Sequence, residues 1–135
     1  MTDIPAVRAV FDGHSLIDRE FPDDRVEGWP RIAMQATRAM AHLTLGAVTP
    51  APVVYDVLGD LKQVAWRLAE VSANLSAGLA ASLGQFEAYQ DDGSDPQAAV
   101  VAAQAALAQA VASAQALSAA FEAAQGAIAQ QGFRR

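Results

Sequence analysis

The sequence contains no cysteine. Disulfides, thiolate chemistry and cysteine-type zinc sites are excluded, and the redox compartment leaves no mark. There is one lysine, Lys62, beside eight arginines, and 15 carboxylates bring the net charge to −6. So acidic a chain is a poor match for nucleic acid, whose binding is mostly phosphate neutralisation. It is an equally poor match for an anionic membrane surface. Only two histidines occur, His14 and His42. No phosphate-binding loop, G-x-S-x-G elbow, kinase set or dinucleotide fingerprint is present. The opening MTDIPAVRAVFDGHSLIDRE lacks a basic region followed by an apolar run. No secretory signal is read there, and a cytoplasmic location is the expectation.

Charge is also scarce, at 18% of 135 residues, against roughly 25% in ordinary domains. The length suits a single domain with a modest core. Of the 53% hydrophobic fraction, 32 residues are alanine, which supplies helix propensity and little transfer energy. Between Val71 and Phe121 the only charged side chains are Glu87, Asp91, Asp92 and Asp95, and the 26 residues from Pro96 to Phe121 carry none. Within that tract Val100, Leu107, Ala114, Phe121 and Ile128 recur every seven residues, with Val111 and Leu117 beside them. The tract is thus periodic and helical. Gln97, Gln104, Gln109, Gln115, Ser113 and Ser118 interrupt it, and alanine barely favours insertion, so no membrane span is expected. A helix with a close neighbour is the reading adopted.

The rest of the chain supplies that neighbour. Residues 1–28 are acidic, with seven carboxylates against Arg8, Arg19 and Arg25, and form a partly ordered segment. Residues 29–135 form the helical domain. A short helix over about 30–45 starts at Pro30, repeats through Ile32, Ala36, Ala39, Met40 and Leu43, and stops at Gly46. TPAP then opens a long helix over about 50–89, with Thr49 as cap and Pro50 and Pro52 in the first turn. Val54, Leu58, Leu61, Ala65, Leu68, Ser72, Leu75, Leu79, Ser82 and Phe86 form a heptad seam there, widened by Val57, Val64 and Val71. QDDGSDP breaks the chain, with Asp95 as cap, Pro96 next and Gly93 freeing the turn. The second long helix runs over about 96–131. The class is all-α: an antiparallel hairpin with a short preceding helix. So few charges leave two faces unprotected, so a two-fold dimer making a four-helix bundle is expected.

Chemistry is harder to find. His14 with Asp12 and Asp18 offers a sparse metal set, better read as a solvated loop. DREFPDDRVE lacks the calcium-loop pattern. His42 reads as a packed or rim histidine, and Asp60, Arg67 and Glu70 as surface pairs. Trp66 lies off the seam, either covered by the short helix through Trp29 and Ile32 or serving as an anchor for another protein. No catalytic residue, cofactor or metal is assigned, and the chain is read as non-enzymatic. The interface residues expected are Leu61, Trp66, Leu68, Leu75, Leu79, Leu107 and Phe121. The partner is a second copy, or another helical protein.

A small, acidic, cysteine-free helical hairpin over residues 51–131 resembles the WXG100 (ESAT-6-like) proteins, although its connector reads QDDGSDP and Trp66 lies within a helix. That resemblance implies a secretion-associated role. TPAPVVYDVLGDLK leading into a long helix also looks like small alanine-rich proteins of mobile elements in GC-rich bacteria. A ligand-sensing bundle, with a pocket between alanine-rich faces, is the remaining alternative.

Overall fold

The computed structural model describes residues 28–135. The acidic segment read over 1–28, with its histidine and carboxylate candidates, therefore lies outside the described residues except for Gly28. Three helices and no strands occur among them: α1, Trp29–Thr44; α2, Ala51–Gln85; and α3, Pro96–Ala127. The chain divides into two compact units between Val48 and Thr49.

In the first unit, α1 carries Pro30 in its opening turn, where a missing N–H leaves no bond unmade. It ends at Thr44, whose hydroxyl bonds back to the Met40 carbonyl at 2.7 Å, and Gly46 follows at φ 70°. None of its residues is buried, and Met34 and Leu43 are exposed.

The second unit is a hairpin in which α2 and α3 pack closely. Pro50 stands at the N-cap of α2 in extended conformation and no side chain caps the helix. Thr49 does not fill the capping role expected of it. The helix stops at Gln85, four residues short of expectation, where Phe86 turns extended at φ −123°. The connector is built as its composition implies. Gly93 takes φ 80°, a conformation open to glycine without steric penalty. The Asp92 carboxylate accepts from the Ser94 hydroxyl at 2.6 Å and its amide at 3.0 Å. Those two bonds hold the Asp92 carboxyl below its ordinary pKa. Asp95 accepts from the Gln97 amide at 3.1 Å and caps α3.

Three hydrogen bonds fix how the helices align. Gln104 Nε2 donates to the Ser76 carbonyl at 3.4 Å, Ser118 Oγ to the Lys62 carbonyl at 2.9 Å, and Gln125 Nε2 to the Tyr55 carbonyl at 3.0 Å. Fourteen residues forward on α3 match fourteen back on α2, and the next seven match seven. The pairing is antiparallel and in constant register.

These bonds also correct one expectation. Six glutamines and serines in α3 are the ground for excluding a membrane span. Yet two of them, Gln104 and Ser118, turn toward α2 and bond its backbone, as Gln125 does, while Gln97, Gln109, Ser113 and Gln115 stay exposed. What α3 leaves outside is mostly alanine. Among the described residues it is the one helix long and apolar enough to cross a membrane, and only 6% of its most apolar stretch is buried. By length and composition the exclusion does not stand. A polar side chain that satisfies a neighbouring carbonyl is no barrier to an apolar environment.

The helices approach most closely through small residues. Gly59 faces the Gln125 amide, and a Cβ placed there would stand 2.9 Å from Nε2. Gly78 meets nothing within 4 Å. Gly78→Ala is therefore expected to stabilise the hairpin by about 0.5–1 kcal/mol through helix propensity. Gly59→Ala should gain less, because moving the amide weakens its bond to Tyr55, worth about 1 kcal/mol. Urea denaturation of both variants checks this, and equal gains would contradict the close approach.

Candidate interaction surface

The inward face of α2 follows Val54, Leu58, Leu61, Ala65, Ala69, Ser72, Ser76, Leu79 and Leu83, all buried or half-buried. Ala65 and Ala69 are its most enclosed side chains, at 1% and 5% exposure. On α3 the matching face is Val100, Gln104, Leu107, Val111, Ala114, Ser118, Phe121, Gln125 and Ile128. The line of residues seven apart that the sequence indicated on α3 is the line that meets α2.

The expected interface residues separate into two groups. Leu61, Leu79, Leu107 and Phe121 lie half-buried within the hairpin. Leu68, Leu75 and Trp66 do not, with exposures of 48%, 49% and 48%. The expected seam assumed a strict seven-residue repeat, but a straight helix drifts about 20° per heptad against that repeat. Beyond Ala65 the face toward α3 therefore passes to Ala69 and Ser76, and the leucines one position earlier rotate outward.

Outside, these leucines join others. Val57, Val64, Leu68, Val71 and Leu75 line one side of α2, each between 41% and 49% exposed. Their spacing alternates between four and three residues once Leu61 is counted, so α2 carries a second apolar seam about a quarter-turn from the first. Spacing contains this seam, but Val57, Val64 and Val71 there look like a widening of the inner one.

Trp66 and Tyr55 fall on the opposite flank of α2. Trp66 borders a shallow open groove with Lys62, Gln63, Ser118 and Glu122. Lys62 Nζ donates to Gln125 Oε1 at 3.0 Å, so the buried glutamine binds a backbone carbonyl with one end of its amide and an ammonium with the other. Arg67 pairs with Glu70 at 2.8 Å, one of the surface pairs expected, and its guanidinium pKa is raised by that hydrogen bond and charge. Of the two expectations for His42, packed or at a rim, the packed one does not hold: it is exposed on α1.

Among the described residues no group of three histidine, cysteine or carboxylate side chains is placed to hold a metal ion. No protein-family model, curated protein or solved structure matches the chain.

Proposed function

We propose that this chain is a non-enzymatic assembly module that self-associates through its helical hairpin, two hairpins together making a four-helix bundle. The observation that carries the reading is the second seam of α2. Val57, Val64, Leu68, Val71 and Leu75 remain about half exposed after α3 has taken its place. A contiguous apolar line of that length marks an interaction surface on a chain in water. Heptad spacing is the pattern that another helix fills. Light scattering across tens of micromolar should give twice the 14.1 kDa chain mass. A strict monomer throughout that range would remove the proposal.

Membrane association is a second reading, supported by the length, composition and low burial of α3. Co-sedimentation with neutral lipid vesicles tests it, since charge-driven attraction is not invoked for so acidic a chain. The likeness to WXG100 proteins rests on hairpin architecture alone. Export, the property it implies, is tested by detection in the medium of unlysed cultures.

A further inference from the structure

We infer that α2 pairs with the α2 of a second copy, antiparallel, in the register that sets Val57 against Leu68 and Asp60 against Arg67. This rests on the assembly reading above and specifies its geometry. Val57, Val64, Leu68 and Val71 of the outer seam are joined by Val54 and Leu61, which lie half-buried where that seam borders the α3 face. From Val54 to Val71 the six are spaced three, four, three, four, three. Reversed and laid on itself, this line opposes Val54 to Val71, Val57 to Leu68, and Leu61 to Val64, so every layer is apolar.

Charge selects among the ways of doing this. Asp60 and Arg67 lie one heptad apart on the line flanking the seam on its solvent side, and both are exposed. In an antiparallel pair, residues on such a line face the same line of the other copy. The stated register therefore forms Asp60–Arg67 twice about the two-fold axis. Sliding one heptad, so that Val57 opposes Leu75, keeps six residues in the seam but brings the two Arg67 side chains together. A parallel pair would turn Asp60 and Arg67 toward the Ala65 and Ser72 line, which faces α3 and has no charge to offer. Arg67 already holds Glu70 in its own chain, but an exposed pair of that kind contributes little, and a guanidinium has donors for both.

Two tests separate this geometry from association as such. Because the chain lacks cysteine, Val57→Cys and Leu68→Cys each introduce one thiol at an exposed site. Mixed under mild oxidation, these variants should crosslink to each other well ahead of either alone. Secondly, Asp60→Arg and Arg67→Asp should each weaken dimerisation about tenfold or more, since like charges then oppose each other twice. Mixing the two single variants should restore it, because every facing pair is again opposite in sign. Circular dichroism confirms that each variant keeps its helices. A dimer in which each cysteine variant crosslinks best to itself, or in which mixing restores nothing, overturns the register while leaving self-association standing. A wild-type monomer overturns both.

Discussion

Ala65→Leu is expected to destabilise the hairpin by about 1–3 kcal/mol, the usual penalty for overpacking. Ala69→Leu should behave alike. These two alanines, at 1% and 5% exposure, set the distance between α2 and α3. A leucine at either place adds three carbons at the closed contact between the helices, which must separate to admit it. Separation lengthens the 2.9 Å bond from Ser118 to the Lys62 carbonyl, one turn before Ala65. It also draws Gln125 away from Tyr55 and Lys62. Against this, Ala77→Leu on the exposed side of the same helix should stay within about 0.5 kcal/mol of the parent. Denaturant midpoints of the three variants decide the matter. An unchanged midpoint for Ala65→Leu would mean that the helices are held apart by something other than these side chains.

Val64→Glu with Leu68→Glu should leave the hairpin folded and abolish its self-association. Both positions are about half exposed, so the hairpin itself loses little, within about 0.5 kcal/mol each by the rule for surface substitutions. Placed in a two-copy interface, the same carboxylates would be stripped of water without partners, which is strongly unfavourable. Leu79→Glu is the counterpart. Its half-buried side chain faces α3, and a charge there should destabilise the fold on the order of 2–4 kcal/mol. Light scattering and circular dichroism on the two variants give opposite results if the faces are assigned correctly. A double variant that stays dimeric would show that the outer seam of α2 is not the contact.

The hairpin itself was legible in the sequence because its signals are local. Asp95 before Pro96 and Gly93 in the turn act within a few residues, so their roles needed no knowledge of packing. The α3 line through Leu107 and Phe121 was equally readable, since large side chains among alanines leave little choice of face. The face of α2 was less so. Leu68 and Leu75 were assigned inward by a repeat that suits supercoiled helices and by the habit of placing leucine inside. With alanines filling the contact, the tightest packing goes to Ala65 and Ala69, and propensity scales carry no sign of that exchange. Gln104 and Ser118 escape a composition-based reading for a related reason. Composition counts an amide as polar but does not say whether a carbonyl across the groove will receive its proton. The candidate surface was thus half visible: its residues were named, and its direction was not.

Three of the four hydrogen bonds between α2 and α3 end on peptide oxygens at positions 55, 62 and 76 of α2. Any amino acid at those places presents the same oxygen. At positions 55 and 76 the alignment of the hairpin is therefore indifferent to the side chain that α2 bears, while Lys62 adds a side-chain bond of its own to Gln125. The outer surface of α2 is thus free to change while the same internal ruler is kept.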